Sequence, residues 1–213
     1  GYTAKLHVIS NGISPQYQYG KKPKEPWMEG FFNVLMVGRY AGEKRQDVLI
    51  EACAKSRYAD RIQVILAGKG PLENKYRRLA KKLHNPIVME FYEPERLLEI
   101  LHMADLYVHT SDAEIEAMSC MEAFACGLVP VIANSPRSAT PQFALDSQSL
   151  FPAGDSDALA QRIDWWIEHP QERVEMEKRY AEHAKRYALD LSIQQTEDMF
   201  RQAIEEQKAG SAQ

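Results

Sequence analysis

Short apolar runs alternate with longer amphipathic stretches between residues 31 and 134. The runs FNVLMVG, IQVILAG, PIVMEF, LYVHTS and VPVIAN are almost continuously apolar, as buried strands are. The stretches between them, DVLIEACAKSRYA, PLENKYRRLAKKL, RLLEILHMA and MEAFACG, place apolar residues at helical spacing. Such strands separated by amphipathic helices are typical of a parallel sheet covered on both faces. The pattern therefore predicts an α/β fold with a doubly wound, Rossmann-like parallel sheet flanked by helices.

The pattern changes on either side of this layer and suggests where domains begin and end. Residues 1–30 open with a β-like run, KLHVISNGI, and continue rich in Pro, Lys, Tyr and Gly, so we interpret them as a linker. The Rossmann-like domain is predicted over residues 31–187, with a further helix in GDSDALAQRIDWWIEHP. A charged C-terminal helix is predicted over 188–208, and a loose tail over 209–213. Because the chain starts at Gly1 without Met, we expect that an N-terminal domain has been removed.

Composition and charge narrow the class of ligand. The chain has 213 residues, of which 45% are hydrophobic and 26% charged, as in ordinary globular chains. With 26 basic and 30 acidic residues the net charge is −4, which gives no basic surface for nucleic acid but suits a nucleotide. No apolar run approaches the roughly 18 residues that a membrane span needs.

Cysteine and histidine usage gives no metal site. Cys53, Cys120 and Cys126 cannot all pair and lack the spacing of zinc ligands, so a reducing, cytoplasmic compartment is the simplest expectation. The six histidines also show no ligand spacing, and we expect no metal. Trp165 and Trp166 are interpreted as packing residues.

Ligands of open parallel sheets lie beyond the carboxyl ends of the strands, so residues just after each strand are informative. The first strand ends in VGRYAGEKRQD, which places Gly38, Arg39 and Lys44 at that edge. A glycine lets backbone approach a ligand, and two cations on one loop are suited to clamping a diphosphate. By themselves, the two cations are equally compatible with an ordinary solvated surface.

The next two strand ends carry weaker signals. The second strand ends in AGKGP, where Gly68 and Gly70 permit a tight turn into a helix whose first amides attract anions. Many such turns use glycine for geometry alone, and the full GxGxxG of dinucleotide oxidoreductases is missing. The third strand ends in MEFYEP, and the backbone at Phe91 is a candidate for contact with a nucleobase.

The fourth strand is followed by AEIEAMSCMEAFACG, which holds Glu114 and Glu122 with seven residues between them. A continuous helix over this span would separate the two carboxylates by roughly 12 Å along its axis. Retaining hydrolases hold their catalytic pair at about 5 Å, so this is not such a pair. Two separate acceptors for hydroxyl groups fit better, with the amides of Met118, Ser119 and Cys120 binding phosphate between them.

Together these motifs make the chain resemble the C-terminal, nucleotide-sugar-binding domain of family 4 retaining glycosyltransferases, which have the two-domain GT-B fold. The resemblance runs from about Val8 to the last helices, through VISNGI, VGRYAGEK, AGKGP and the Glu, seven residues, Glu motif followed by EAFACGLVPVI. The segments EIEAMSCMEA and ANSPRSATPQFAL are most similar to the sequences of bacterial members that glucosylate lipids or build capsular polysaccharide. Many members carry Phe-Gly where this chain has Glu116-Ala117.

The resemblance implies a role for each motif. Arg39 and Lys44 would hold the donor diphosphate, Glu122 the ribose hydroxyls and Glu114 the hydroxyls of the donor sugar. Arg39, Lys44 and Glu114 would thus carry the catalytic contribution of this half. The rest of the donor cleft would be lined near Gly38, Gly68, Gly70, Phe91, Met118, Ser119, Cys120 and Met121.

The implied activity is transfer of a hexose, glucose, from a UDP-sugar to a lipid or polysaccharide acceptor, with no cofactor and no metal. The missing N-terminal domain would choose the acceptor, including a membrane-surface acceptor at the inner face of the membrane, and this half alone would be inactive. No nucleic-acid partner is expected. Three alternatives stay open: a UDP-sugar 2-epimerase of the same fold, a non-catalytic nucleotide-binding module, and a nicotinamide-dependent oxidoreductase, which lacks its glycine fingerprint.

Overall fold

The computed structural model describes residues 6–211, with side chains described through residue 208. Its centre is a sheet of six parallel strands in the order β3-β2-β1-β4-β6-β8. A separate two-stranded parallel pair, β5 with β7, lies outside this sheet. The strands are β1 Phe32–Val37, β2 Ile62–Ala67, β3 Val88–Glu90, β4 Leu106–His109, β5 Ala113–Glu114, β6 Pro130–Asn134, β7 Arg137–Ser138 and β8 Leu150–Pro152.

The five predicted strands are confirmed, and their burial explains their composition. Every residue of β2 is buried, as are the four inner residues of β1, because helices cover both faces of the sheet. The register pairs Phe32 with Ile62 and Val34 with Leu106, so β1 lies in the middle of the sheet. Taken in chain order, the six strands follow the Rossmann order 3-2-1-4-5-6, which reverses direction between β1 and β4.

The helices pack in pairs around the sheet. Because such crossovers are right-handed, the strand order is expected to put α1 and α2 on one face of the sheet and α3 and α4 on the other. Helix α1 also contacts α5, and α4 contacts α6. Within residues 6–211, no helix has the length and apolar character to cross a bilayer. The helices are α1 Gln46–Lys55, α2 Glu73–Leu79, α3 Pro94–Met103, α4 Met118–Ala125, α5 Ser156–Glu168, α6 Pro170–Ala184 and α7 Leu189–Ser211.

The N-terminal segment, residues 6–31, differs from the predicted linker. The β-like run is wrong for its described part, since residues 6–12 form no strand, and only Ile13 makes a single parallel bridge, with Ala188. The segment is packed onto the domain, because Met28 is fully buried and the Lys24 ammonium lies 2.6 Å from the Asp105 carboxylate. The side-chain amide of Asn33 donates to the carbonyl of Met28 at 3.0 Å.

The C-terminal part adds two differences. A sixth strand, β8, pairs with β6 through Ile132 and Leu150, although the sequence showed only the short apolar run SLF there. Helix α7 continues to Ser211, so residues 209–211 of the predicted tail belong to the helix, and residues 212–213 lie outside the described residues. Trp166 is fully buried, which confirms its packing role.

Candidate active site

The loops that follow β1, β2, β3 and β4 meet at the carboxyl edge of the sheet, where the strand order reverses. Two cavities lie at this edge. The first, which we call the glycine-lined pocket, has a volume of about 440 Å³ and is lined mainly by residues after β1, β2 and β3. The second, which we call the charged pocket, has a volume of about 310 Å³ and lies between the loop after β1 and the loop after β4.

The glycine-lined pocket brings together five of the residues that the sequence singled out. Its walls include Gly38, Arg39, Gly68, Gly70 and Phe91. The strand-end rule had placed these residues near one another although they span three separate strand ends. The pocket is mostly apolar, which suits the flat face of a nucleobase.

Gly68 and Gly70 are needed because two backbone turns pack directly on each other. A Cβ atom on Gly68 would lie 2.1 Å from the carbonyl oxygen of Gly38, and one on Gly70 would lie 2.7 Å from the backbone nitrogen of Tyr40. The two turns are also joined by a hydrogen bond from the Tyr40 amide to the Lys69 carbonyl at 3.1 Å. No side chain larger than hydrogen fits without moving backbone, so these glycines shape the pocket.

Phe91 and Lys69 form the outer wall of the same pocket. The Phe91 ring is 52% exposed, which is unusual for a phenylalanine and leaves its face available for stacking. The Lys69 ammonium lies 4.1 Å from the centroid of this ring, within cation–π distance. Lys69 was not singled out by the sequence, although it lies between the two glycines of AGKGP.

The charged pocket is organised by a contact between Lys44 and Glu114, whose Nζ and Oε1 atoms are 2.5 Å apart. Lys44 ends a single 3-10 turn, Gly42–Lys44, that is fastened to the loop after β4. The Thr110 hydroxyl donates to the Lys44 carbonyl at 2.7 Å, and the Asp112 amide donates to the Glu43 carbonyl at 2.8 Å. The pairing of cation and acid is therefore held by the backbone of both loops.

His109 adds a second group to the same oxygen of Glu114. This last residue of β4 is 1% exposed, and its Nε2 lies 3.2 Å from Oε1 of Glu114. The contacts from His109 and Lys44 thus converge on a single carboxylate oxygen. Burial would raise the pKa of Glu114, but His109 and Lys44 together outweigh burial and hold this pKa at about 2. Glu114 is therefore a carboxylate acceptor throughout the physiological range.

Helix α4 starts at Met118, so Glu122 lies in the helix, as the sequence indicated, whereas Glu114, which the sequence placed in a loop, lies on the two-residue strand β5. The amides of Cys120 and Met121 donate to the carbonyl of Ala117 at 2.9 and 3.3 Å, and both side chains are fully buried. The amides of Met118 and Ser119 precede this first helical bond. That Cys120 and Met121 line the donor cleft stays a prediction. Binding of phosphate by backbone amides is better suited to Met118 and Ser119.

Ser119 links α4 to the two strands between which the sheet order reverses. Its hydroxyl accepts a hydrogen bond from the Tyr107 hydroxyl at 3.1 Å and donates to the Val37 carbonyl at 3.4 Å. The side chain of Ser119 thus faces the sheet. Only its backbone amide is left to face a ligand.

Glu122 is half-buried and is in contact with the N-terminal segment. Burial raises the pKa of Glu122, and a hydrogen bond from the Tyr17 hydroxyl offsets part of this rise. Burial, followed by the nearby Glu122 carboxylate, raises the pKa of Tyr17. The two acids of the motif therefore have opposite electrostatic environments, with a lowered pKa at Glu114 and a raised pKa at Glu122.

The remaining cations differ in how firmly they are held. Arg39 is exposed and makes no ion pair with the residues that the structure describes. Arg137, from β7, lines the charged pocket and lies 3.6 Å from the Asp112 carboxylate. Arg137 was not predicted, although the strand-end rule applies to it because it follows the strand VPVIAN by three residues.

This architecture defines the class: the chain has the fold of a Rossmann-like GT-B half, with the carboxyl edge of the sheet open where β1 and β4 meet. Residues 20–187 match the family of glycosyl transferases group 1, and the chain belongs to that family.

Individual relatives support the same placement. The chain is 49% identical to the catalytic domain of cholesterol-alpha-glucosyltransferase from Helicobacter pylori, over 74% of this chain and 99% of that one, with a TM-score of 0.71. Anabaena Alr3699/HepE in complex with UDP and glucose is 21% identical over 92% of this chain and 57% of that one, with a TM-score of 0.79, which supports the fold. D-inositol 3-phosphate glycosyltransferase 2 of Catenulispora acidiphila is 28% identical over 189 residues, covering 83% of this chain and 44% of that protein.

The resemblance to family 4 glycosyltransferases, and to their lipid-glucosylating bacterial members, is confirmed by these matches. The chain spans about half the length of the curated relatives it matches.

Proposed function

We propose that this chain is the donor-binding half of a retaining glycosyltransferase that transfers glucose from UDP-glucose to a lipid hydroxyl. The observation that carries the proposal is the Lys44–Glu114 contact, which lies at the ligand edge beside the glycine-lined pocket. The base would stack in the glycine-lined pocket near Phe91. The diphosphate would lie by Lys44 and the start of α4, and the sugar in the charged pocket by Glu114.

The chemical contribution of this half is charge stabilisation and positioning. Negative charge grows on the diphosphate as the glycosidic bond breaks, and Arg39 and Lys44 stabilise it most in the transition state. Glu114, with its lowered pKa, accepts hydrogen bonds from the sugar hydroxyls, and Glu122 accepts from the ribose. Family membership and the neighbouring cations support a reaction that needs no metal.

The lipid acceptor is supported by the identity to the Helicobacter pylori cholesterol-alpha-glucosyltransferase. A sterol is therefore the first acceptor to test, followed by diacylglycerol and a capsular polysaccharide. Such an acceptor would place the complete enzyme at the inner face of the cytoplasmic membrane. The N-terminal half of the GT-B fold would hold the acceptor, so we expect this chain alone to bind donor and transfer no sugar.

Calorimetry with UDP and UDP-glucose tests the donor site. We expect the chain to bind both, and we expect Arg39→Ala and Lys44→Ala each to weaken UDP binding by roughly tenfold to a hundredfold, as loss of a charge-assisted contact does. Lys81→Ala is the matched control, because Lys81 is an exposed cation after α2, away from the site. A folded chain that binds neither compound at millimolar concentration would sink the proposal.

Product analysis of the complete enzyme tests the reaction. With UDP-glucose and cholesterol-containing vesicles, we expect an α-glucoside of the sterol and stoichiometric UDP. A 2-epimerised sugar formed without acceptor would identify an epimerase instead. Saturable UDP binding with no product from any acceptor would identify a binding module.

A further inference from the structure

Glu116 lies between the two acids of the site motif but faces away from both cavities. Its carboxylate accepts hydrogen bonds from the backbone amide of Asn11 at 3.2 and 3.0 Å, and from the side-chain amide of Asn11. We call these contacts the Glu116 clasp. They join the loop between β5 and α4 to the N-terminal segment, which is 105 residues away along the chain.

The residue next to Glu116 has a backbone conformation that needs support. Ala117, the N-cap of α4, has φ 57° and ψ 59°, in the left-handed region, and no side chain caps this helix. A residue with a Cβ is strained there, and glycine is the residue that ordinarily adopts it. Such strain persists only where the surroundings fix the backbone.

The backbone of Ala117 is restrained on both sides. Before it, Glu114 is fixed by pairing with Ser138 across β5 and β7, and its carbonyl accepts from the Ala139 amide at 3.0 Å. After it, the Ala117 carbonyl accepts the first amides of α4. Between these two anchors, Ile115 is 95% exposed and offers no packing. The Ala117 side chain itself packs into the core, and the Glu116 clasp supplies a polar contact that fixes the middle of the loop.

Asn11 is itself held in place, so it can serve as an anchor. A Cβ on the next residue, Gly12, would lie 2.7 Å from the Cα of Leu189, which shows how closely this segment packs on the start of α7. The Ile13 amide donates to the Tyr187 carbonyl at 2.6 Å, and the Leu189 amide donates to the Ile13 carbonyl at 3.0 Å. The Glu116 clasp thus ties the loop of the site to a fixed junction.

We propose that Glu116 is a positioning residue for the donor: the Glu116 clasp holds Ala117 in the left-handed conformation and so fixes Glu114 and the first amides of α4 relative to one another. In this proposal Glu116 and Ala117 act as a pair. The Glu116 clasp stabilises the left-handed backbone conformation at position 117, which a glycine there would adopt without such a contact. The inference rests on the proposed donor site.

A rescue experiment tests this pairing in the 213-residue chain. We expect Glu116→Ala to weaken UDP-glucose binding roughly tenfold, the factor that corresponds to about 1.4 kcal/mol. Adding Ala117→Gly to it should restore affinity to within about twofold to threefold of the original chain, because glycine adopts the left-handed region unaided. Asn11→Ala, which removes one of the two donors, should give a smaller loss. Glu175→Ala, an exposed acid on α6, is the control.

Two results would overturn the proposal. One is unchanged affinity in Glu116→Ala, and the other is a loss that Ala117→Gly does not reduce, since a general loss of packing would not be repaired by a more flexible residue.

The backbone φ of residue 117, measured by NMR couplings in the ligand-free chain, gives an answer that needs no donor. Glu116→Ala should move Ala117 out of the left-handed region, and an unchanged φ contradicts the clasp. If the unaltered chain binds no donor, the proposed function fails while this measurement still decides the clasp.

Discussion

The two cavities of the site are formed by different kinds of contact. The glycine-lined pocket takes its shape from backbone packed on backbone, where Gly68 and Gly70 touch the turn after β1. The charged pocket takes its shape from side chains of opposite charge, with Lys44 paired to Glu114. The shape of the first is therefore fixed by the backbone. In the second, the proposed function requires Lys44 to exchange Glu114 for a diphosphate or to share itself between the two.

This difference predicts that substitutions in the two cavities fail in different ways. Changes in the glycine-lined pocket should alter stability and nucleotide binding together, because the backbone carries both. Changes in the charged pocket should alter the balance between UDP and UDP-glucose more than they alter the fold, because no backbone has to move to accommodate them.

The largest effect is expected for Gly68→Ala. Its Cβ would lie 2.1 Å from the Gly38 carbonyl oxygen, so the backbone must move, and we expect a loss of about 3 kcal/mol or more in the free energy of unfolding. Urea denaturation measures this loss. The control is Gly42→Ala, since a Cβ there meets nothing within 4 Å. Equal stability of the two variants would contradict the backbone-packed description.

Glu114→Gln should separate nucleotide from sugar recognition. Removing the carboxylate frees Lys44 from its partner, so we expect UDP to bind about threefold to tenfold more tightly. UDP-glucose should lose this advantage, because a good acceptor for its hydroxyls is gone. Calorimetry with both ligands measures the ratio, and Glu43→Gln, in the same pocket, is the control. Weaker UDP binding by Glu114→Gln would show that the pair does not compete with the diphosphate.

The pH dependence of binding should come from Glu122 and not from Glu114. The pKa of Glu114 is held at about 2, so its contribution to stability is complete above its ordinary pKa and is lost only as the pH falls toward about 2. The pKa of Glu122 is raised by burial, so this carboxyl takes up a proton at a higher pH than a free glutamate and then accepts ribose hydroxyls less well. UDP-glucose affinity should therefore fall with decreasing pH, beginning above the pH at which a free glutamate titrates.

Glu122→Gln provides the matched comparison for this pH effect. The variant should bind more weakly at neutral pH and should lose most of this pH dependence. UDP-glucose is the better probe, because its diphosphate keeps its charge over this range. An unchanged pH profile in the variant would assign the effect to another group.

The smallest effect is expected for Arg137→Ala. This exposed arginine lines the charged pocket and lies 3.6 Å from Asp112, so we expect UDP-glucose affinity to fall by about twofold to threefold at low salt, as for solvent-screened charges. The loss should shrink at high ionic strength. Titrations at both ionic strengths measure it, and a loss that does not change with salt would point to a direct contact with the sugar.

Much of the fold could be predicted because its strands are buried on both faces and read as continuous apolar runs. The strand β8 could not be predicted, because its three residues form a strand only through pairing with β6. The packing of the N-terminal segment could not be predicted for a related reason. Its Pro and Gly content is typical of linkers, whereas the burial of Met28 depends on a core that is distant in sequence.

The site was predictable to the extent that it follows strand ends. Gly38, Gly68, Glu114 and their neighbours were found because parallel strands bring their carboxyl ends to one edge. Contacts between side chains from different loops could not be predicted. Neither the contact of His109 with Glu114 nor the Glu116 clasp can be inferred from the spacing of residues along the sequence.

The packing of the N-terminal segment bears on how donor domains are exchanged between related enzymes. A chimaera joined at residue 31 would discard Met28, which fills the core, and Lys24, which neutralises the largely buried Asp105. It would also discard Tyr17 and Asn11, which touch Glu122 and Glu116. The unit that can be transplanted with these contacts intact therefore begins before Asn11, so the junction for recombination lies near the start of residues 1–30, the predicted linker, and not at its end.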